Sequence, residues 1–324
     1  MKNKQSKVLM VQPVSFGYNK ETAGTNLFQT NDTLLTPKQI QAHALKEFNA
    51  FVGKLKKKGV ETIVIKDTKS PRTPDSVFPN NILSFHSMKE FYAPTPPEMN
   101  VPGDKFLIND AKIVVFYPML APNRRAEKSL AYRKKLKQYN VVMDLSYNAE
   151  QDIFLEGTGS IVFDYINKIA YASHSKRTFI PLFEALCKQL DFDTISFHAV
   201  DQNGKEIYHT NVLMCIGDRF AVVCEESIRD KEELFTVMKS LIDSDHEIIT
   251  ISYEQLNKFA GNMYQLFNDK GESLIVMSTQ AYKSLKKEQL KKLKKFGKIV
   301  HTSLETIEKY GGGSARCMIA DIRY

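Results

Sequence analysis

The feature that most constrains the fold is a recurring unit in which a short polar or glycine-containing turn leads into an apolar strand. From the second unit onward the spacing is about fifty residues, and nearly every interval holds a predicted helix. The five units lie at residues 77–85, 155–163, 209–216, 261–266 and 311–322. They predict a ring of supersecondary repeats whose turns converge on one axial site, within a single domain spanning residues 1–324.

Helix and strand patterns alternate between the turns. Thr36 as N-cap and Pro37 at the first position predict a helix that runs to Lys58 and stops at Gly59. Apolar runs predict strands at 8–11, 60–65 and 318–322, and helical patterns occur at 124–139, 178–190, 228–242, 253–259 and 283–298. The alternation predicts a mixed α/β fold. The irregular segment 12–26 is either a structural connection or a loop that covers a substrate.

Composition argues against several classes of protein. No apolar run in the 324 residues approaches the roughly 18 that a membrane span requires, so no membrane partner is expected. The N-terminus lacks the apolar core and cleavage site of a signal peptide, which makes a cytoplasmic location the default expectation. The four cysteines contain no CxxC and the seven histidines no paired spacing, so we expect no disulfide framework, no metal and no organic cofactor.

The net charge of +8 is concentrated in one segment, Lys283 to Lys298. Leu285, Leu290 and Leu293 give this segment an apolar stripe, which predicts a surface helix with a solvated basic face. Nucleic-acid binding is the alternative interpretation. The single aromatic residue among these lysines, Phe296, does not form the aromatic interleaving that stacking on bases requires, so no nucleic-acid partner is expected.

The turns carry side chains suited to nucleophilic catalysis. Cys317 follows Gly311-Gly312-Gly313, whose backbone permits close approaches, and the adjacent guanidinium of Arg316 is expected to lower the pKa of its thiol. Cys317 as a small core residue is the alternative. A distant histidine such as His209 forms a thiolate–imidazolium pair with a cysteine if the fold brings them together, and a buried Glu156 beside them holds or shuttles a proton.

The turns resemble those of the pentein superfamily, the guanidino-group-modifying enzymes that include arginine deiminases, dimethylarginine hydrolases, agmatine deiminases and amidinotransferases. The motifs that carry the resemblance are Leu155-Glu156-Gly157, His209-x-Asn211, Gly261-Asn262 and Gly311-Gly312-Gly313-x-x-Arg316-Cys317. A further set is similar to the citrulline-utilisation hydrolases within that superfamily. It comprises Phe16-Gly17-x-Asn19-x-x-Thr22-Ala23-x-x-Asn26-x-Phe28-Gln29, Phe78-Pro79-Asn80-Asn81 and Asn123-Arg124-Arg125.

The resemblance implies a five-bladed α/β propeller with pseudo-fivefold symmetry. It also implies that Cys317 is the nucleophile, His209 the general acid and base, and Glu156 a carboxylate that positions the substrate. The candidates for binding the substrate α-carboxylate are Arg124, Arg125, Arg177 and Arg316, and those for contacting its amino-acid end are Asn19 and Asn26.

Two positions depart from the guanidine-binding pattern of the superfamily. Asn81 and Asn211 stand where many members carry aspartates that pair with a cationic guanidinium. An amide offers donors and an acceptor without charge, which suits a neutral ureido group better than a guanidinium. The sequence therefore predicts a hydrolase that converts L-citrulline to L-ornithine, ammonia and carbon dioxide.

Two alternatives to citrulline hydrolysis remain at this stage. One is a guanidine hydrolase of the arginine deiminase or dimethylarginine hydrolase type. The other is a non-enzymatic, ribosome-binding factor with the pentein fold, which the retained cysteine, histidine and glutamate argue against. The expected partner is a small amino-acid substrate, and the sequence leaves a homodimer open.

Overall fold

The strands form five small sheets of three strands each. The computed structural model describes residues 5–32, 34–94, 105–128 and 139–323, and in this part of the chain there are fifteen strands. They are β1 (Lys7–Gln12), β2 (Glu61–Lys66), β3 (Leu83–Pro94), β4 (Lys105–Phe116), β5 (Val141–Asp144), β6 (Ile161–Asp164), β7 (Ile169–Ser173), β8 (Asp193–Phe197), β9 (Met214–Ile216), β10 (Phe220–Val223), β11 (Glu247–Thr250), β12 (Tyr264–Phe267), β13 (Ser273–Ser278), β14 (Lys298–Thr302) and β15 (Ala320–Ile322).

All five sheets share one connectivity. In each sheet one strand pairs antiparallel with a central strand, and the central strand pairs parallel with a third, as in β6–β7–β8 and β9–β10–β11. The sheet β15–β1–β2 joins the two ends of the chain, with Val8 opposite both Asp321 and Thr62. The parallel pairs need crossover connections, which explains why helices recur between the second and third strands of the units.

Helices fill these crossovers and the turns. The longest, Pro37–Lys57, begins at Thr36 with a capping box to Gln39, as the sequence predicts. In the described residues the other α-helices are Pro122–Arg125, Gly157–Ser160, Ile180–Gln189, Thr210–Leu213, Lys231–Asp243, Tyr253–Leu256, Thr279–Ser284, Lys287–Phe296 and Glu305–Gly311. Short 3-10 helices occur at Pro79–Asn81, Ala126–Lys128, Ser146–Gln151 and Glu225–Ser227.

The predicted recurrence of turn and strand matches the structure. Each of the five polar turns leads into the antiparallel outer strand of a different sheet. The turns at Pro79–Asn81, Gly157–Ser160 and Thr210–Leu213 precede β3, β6 and β9, and those at residues 261–263 and 311–319 precede β12 and β15. Equivalent positions in the repeat therefore carry the polar side chains.

Apolar side chains from the helices and sheets pack together in the interior. Phe183 and Leu186 of the helix Ile180–Gln189 belong to one buried cluster with Ala170 of β7 and Ile113 of β4. Burying a large aliphatic or aromatic side chain contributes about 1.5–3 kcal/mol, so such contacts hold each helix on its sheet. Within the described residues no helix is long and apolar enough to cross a membrane.

Three expectations need comment. The basic segment forms two helices, Thr279–Ser284 and Lys287–Phe296, because Leu285 and Lys286 adopt extended backbone between them. The predicted helix 124–139 is seen only at its beginning, since 129–138 lies outside the described residues. The five sheets are small and are not hydrogen-bonded into a closed structure, so the five-bladed propeller stays a prediction.

Candidate active site

One cavity collects side chains from several of the equivalent turns. Cys317, His209 and Asn81, which are far apart in the sequence, all line it. The complete lining is Asn26, Asp75, Phe78, Asn81, Arg124, Arg177, Tyr208, His209, Gly311, Gly312, Gly313 and Cys317. Glu156 contacts His209 directly behind this lining. The fold therefore brings together the cysteine, the histidine and the glutamate that the sequence singles out.

The thiol of Cys317 is surrounded by amides. Its Sγ lies 3.2 Å from Nδ2 of Asn262 and 3.6 Å from Nδ2 of Asn211. Burial raises the pKa of the Cys317 thiol, and hydrogen bonds from the Ser314 backbone and from Asn262 oppose that rise only in part. The expectation that the pKa of this thiol is lowered is therefore wrong, because desolvation outweighs the neighbouring donors.

The triple glycine before Cys317 is required by close packing. Gly312 has a φ of +66°, a left-handed conformation that residues with a Cβ adopt at a cost. A Cβ on Gly311 or Gly313 would lie 2.8 Å from the ring of Phe78. The Tyr208 hydroxyl donates a hydrogen bond of 2.8 Å to the Gly312 carbonyl. These contacts fix the loop that presents the sulfur to the cavity.

His209 and Glu156 form a buried pair. Nε2 of His209 lies 2.8 Å from Oε2 of Glu156. Burial alone would raise the pKa of Glu156, but the Arg177 guanidinium and His209 hold it well below its usual range. Because this carboxylate only accepts, Nε2 of His209 carries a proton and donates it in the hydrogen bond.

The electrostatic state of His209 follows from its burial. Desolvation lowers the pKa of His209 to about 4, although Glu156 opposes the shift. At neutral pH the ring is therefore uncharged, with its acceptor nitrogen Nδ1 free of hydrogen-bond partners among the described residues. A Cβ on Gly159 would lie 2.8 Å from Nδ1 and 2.6 Å from Oδ1 of Asn81, so this glycine allows the ring and the amide to lie side by side.

The polar side chains in and around the cavity fall into two chemically different groups. We call Asn81, Asn211 and Asn262, which lie around His209 and Cys317, the amide end. We call Asp75, Arg124 and Arg177, which lie together beneath the loop 19–26, the charged end. Asn211 and Asn262 are counted by their contacts with Sγ, since the cavity lining itself does not include them.

The two arginines of the charged end are each buried with a carboxylate. Arg124 donates from Nε and Nη2 to the carboxylate of Glu127 at 2.9 and 3.0 Å. Arg177 donates to Glu156 at 3.2 Å and to the Thr25 hydroxyl at 2.6 Å, and its guanidinium lies 4.5 Å from the centre of the Tyr208 ring. Both line the cavity, so both are placed to meet a carboxylate.

Asp75 is a cavity residue that the sequence reasoning missed. Its Oδ2 accepts a hydrogen bond from Asn19, whereas Oδ1 is buried and has no partner in the described part of the chain. Burial raises the pKa of Asp75, with Arg124 opposing the shift. Its only signal in the sequence is its position six residues before Asn81 in the same turn. Because burial disfavours the charged form of Asp75, a cationic group bound at Oδ1 would favour the ionised carboxylate.

The two asparagines predicted at the amino-acid end have different positions. Asn19 does not line the cavity, but its Nδ2 orients Asp75 through a hydrogen bond of 2.8 Å. Asn26 lines the cavity, and its Nδ2 donates to the carbonyl of Gly311 at 3.0 Å. The segment 12–26 thus contacts both the charged end and the glycine loop.

Two of the four predicted carboxylate-binding arginines lie outside the cavity. Arg125 donates to the backbone carbonyls of Met119 and Leu120. Arg316 donates to the Ile319 carbonyl at 2.7 Å, and its guanidinium lies 4.1 Å from the centre of the Tyr264 ring. Of the four candidates, only Arg124 and Arg177 line the cavity. Within the described residues no group of three or more histidine, cysteine or acidic side chains could hold a metal ion.

The comparisons with known proteins place the chain in the pentein superfamily, whose members modify guanidino groups. The family described as N,N dimethylarginine dimethylhydrolase, eukaryotic, matches residues 12–324. The chain belongs to this family. A comparison with curated protein sequences gives no match.

Solved structures with similar folds include ArgZ, an arginine dihydrolase from the ornithine-ammonia cycle in cyanobacteria. Its N-terminal domain bound to product aligns with a TM-score of 0.71 and 17% identity, covering 98% of both chains. Against apo ArgZ the TM-score is 0.68 at 17% identity, and the match covers 98% of this chain but 40% of that chain. A dimethylarginine dimethylaminohydrolase adduct aligns at 0.61 and 14% identity, over 98% and 100%. At these identities the likeness shows the fold.

Proposed function

We propose that this protein is a cysteine-dependent hydrolase of the ureido group of L-citrulline, which it converts to L-ornithine, ammonia and carbon dioxide. The observation that carries the proposal is the amide end of the cavity. Asn81 lines the cavity beside His209, and Asn211 contacts the sulfur of Cys317. The reacting group of the substrate therefore meets uncharged side chains.

Hydrogen-bonding capacity supports a neutral substrate group. Oδ1 of Asn81 is buried with no partner in the described structure, so it is a free acceptor for a substrate N–H. Nδ2 of Asn211 already donates to the Thr158 carbonyl at 3.0 Å, which fixes the orientation of this amide. A ureido group has N–H donors for such an acceptor and no charge that calls for a carboxylate.

Glu156 is not available as a carboxylate partner for a cationic group on the substrate. Its Oε1 accepts from the Leu120 backbone at 3.1 Å, and its Oε2 is occupied by His209 and Arg177. Both oxygens are therefore used within the protein. We assign Glu156 the task of orienting His209, rather than the substrate-positioning role that the family resemblance implies.

The charged end suits the other end of an amino acid. Nε of Arg177 is buried without a partner in the described residues and is a donor for an α-carboxylate beside Arg124, and Oδ1 of Asp75 is an acceptor for an α-ammonium group. Every free α-amino acid carries these two charges at neutral pH. In this binding mode the side chain of the substrate extends toward Cys317, which places the ureido carbon at the sulfur.

The chemistry then proceeds through a covalent intermediate. Nδ1 of His209 accepts the thiol proton as the Cys317 sulfur bonds to the ureido carbon, and the carbonyl electrons move to oxygen. When the tetrahedral adduct collapses, one C–N bond breaks and its nitrogen takes the proton from His209, leaving a thiocarbamoyl enzyme. Water, deprotonated by His209, bonds through its oxygen to the thiocarbamoyl carbon. Collapse of this adduct breaks the S–C bond, and the sulfur takes the proton back from His209. The resulting carbamate loses carbon dioxide, and breaking either C–N bond first gives the same products.

A guanidine hydrolase is the second candidate, and the comparisons favour it. The matched family is described by dimethylarginine hydrolysis, and the similar ArgZ structures are of an arginine dihydrolase. Oδ1 of Asp75 also offers one unpaired carboxylate to a guanidinium. Against this candidate stands the absence of a free carboxylate from the amide end in the described residues.

The proposal is tested by product analysis with separate substrates. Purified protein is incubated with citrulline, arginine or dimethylarginine, and ornithine, citrulline and ammonia are measured, with Cys317→Ala as the control. We expect ornithine and ammonia in equal amounts from citrulline, and no turnover by the variant. Turnover of arginine or dimethylarginine with citrulline inert would establish the second candidate instead.

A further inference from the structure

The fourth equivalent turn contributes a side chain that the mechanism above does not use. Asn262 is fully buried, and its Nδ2 is the nearest side-chain donor to the sulfur of Cys317, at 3.2 Å. A Cβ on the preceding Gly261 would collide with the backbone carbonyl of Val212. This glycine therefore lets the fourth turn lie directly against the turn that carries His209.

The orientation of the Asn262 amide is fixed by two backbone groups. Its Oδ1 accepts from the backbone N–H of Arg316 at 3.0 Å, and its Nδ2 donates to the carbonyl of Asn211 at 2.8 Å. A backbone N–H only donates and a carbonyl only accepts, so the reversed amide would lose both hydrogen bonds. The group that faces the sulfur is therefore an N–H donor.

Among the described residues, no cationic side chain donates a hydrogen bond to the sulfur of Cys317. The Arg316 guanidinium is the adjacent positive charge, and it is directed to the Ile319 carbonyl and the Tyr264 ring. The resting imidazole of His209 is neutral. When the thiol loses its proton, the negative sulfur is buried and needs donors that are already in place.

We propose that Asn262 is a catalytic residue that stabilises the thiolate of Cys317 by donating a hydrogen bond from Nδ2 to Sγ. This proposal rests on the proposed function only because it takes Cys317 as the nucleophile. Hydrogen bonds to a charged group are stronger than those to a neutral one, so this contact favours the thiolate over the thiol.

The experiment measures the pKa of the thiol directly. The rate of alkylation of Cys317 by iodoacetamide is followed against pH by mass spectrometry of the Cys317 peptide. Asn262→Ala and Asn262→Leu both remove the donor, and the leucine variant keeps the branching of the side chain at Cγ. Asn268→Ala is the matched control, because Asn268 is also a buried asparagine with local hydrogen bonds but lies in the β12–β13 turn.

We expect both Asn262 variants to raise the thiol pKa by about one to two units, which lowers the alkylation rate at neutral pH by about 10- to 100-fold. The control should alkylate like the wild type. An unchanged pH profile in a folded Asn262 variant, whether or not its melting temperature falls, would overturn the proposal and leave Asn262 a packing residue. Because no substrate is used, this result is independent of whether citrulline is turned over.

Discussion

The two ends of the cavity are built on opposite principles. The charged end holds Asp75, Arg124 and Arg177 in a buried group of carboxylates and guanidinium ions. The amide end holds three asparagines around a neutral thiol and a neutral imidazole. Under the proposed function, the charged groups would meet the part that all free amino acids share, and the uncharged groups would meet the part in which substrates differ.

Because both groups of side chains are buried, charged and uncharged residues differ in the free energy needed to remove them from water. Isolated charges are expensive to bury, so Arg124 is paired with Glu127 and Arg177 with Glu156. The exception among these carboxylates is Asp75, which keeps one oxygen free. The free energy needed to bury an unpaired amide is smaller than that needed to bury an unpaired ion. Oδ1 of Asn81 can therefore stay buried without a hydrogen-bond partner when no substrate is bound.

The largest expected effect concerns the chemistry at the amide end. His209→Ala should lower kcat by about 10²- to 10⁴-fold, because a general acid and base contributes about that much. KM should change little, since the substrate head is bound elsewhere. Steady-state kinetics with citrulline measure both constants. A KM effect as large as the kcat effect would place His209 in substrate binding.

A substitution at the charged end should change KM more than kcat, the reverse of the effect expected for His209→Ala. Asp75→Asn removes the free carboxylate but keeps the size of the side chain. We expect the KM for citrulline to rise by about ten- to a hundredfold, the equivalent of a lost charge-assisted hydrogen bond, with a smaller change in kcat. The matched measurement uses an inhibitor that lacks the α-amino group. If Asp75 instead faced the reacting group, this inhibitor would lose affinity to the same extent.

Much of the fold is encoded locally and is therefore accessible from the sequence. The cap at Thr36, the glycines before Cys317 and the polar residues before each outer strand act through short-range geometry. Those features predict turns and strands that the structure contains. The break between the two basic helices was missed because it depends on Leu285, whose side chain packs into the core with Leu293.

The sequence predicts only some of the residues that form the site. Cys317, His209 and Glu156 are marked by their positions on equivalent turns. Arg316 has the same local signal as they do, yet its guanidinium is directed away by the Ile319 carbonyl and the Tyr264 ring. The only local signal for Asp75 is its position six residues before Asn81, and its role depends on Asn19, which lies 56 residues away. The directions of these side chains depend in part on contacts far away in the sequence, such as the Tyr264 ring and Asn19, which residue spacing does not reveal.

The smallest effect is expected at the basic helix Lys287–Phe296, which contributes no residue to the cavity lining. Lys287, Lys291 and Lys294 are exposed, so changing all three to glutamine should leave kcat/KM for citrulline unchanged within about twofold. The same variant tests the non-enzymatic alternative through binding to RNA or ribosomes. A tight interaction that weakens steeply with salt and is lost in the variant would support a ribosome-binding role.

The most direct test of the central claim is competition between arginine and citrulline in the wild type and in the double variant Asn81→Asp, Asn211→Asp. Restoring two carboxylates to the amide end should weaken citrulline turnover and strengthen binding of the guanidinium. Each charge-assisted hydrogen bond contributes about 1.5–3 kcal/mol, so we predict that the affinity of arginine relative to citrulline rises by about tenfold or more. An unchanged ratio would contradict the claim that these amides select a neutral substrate.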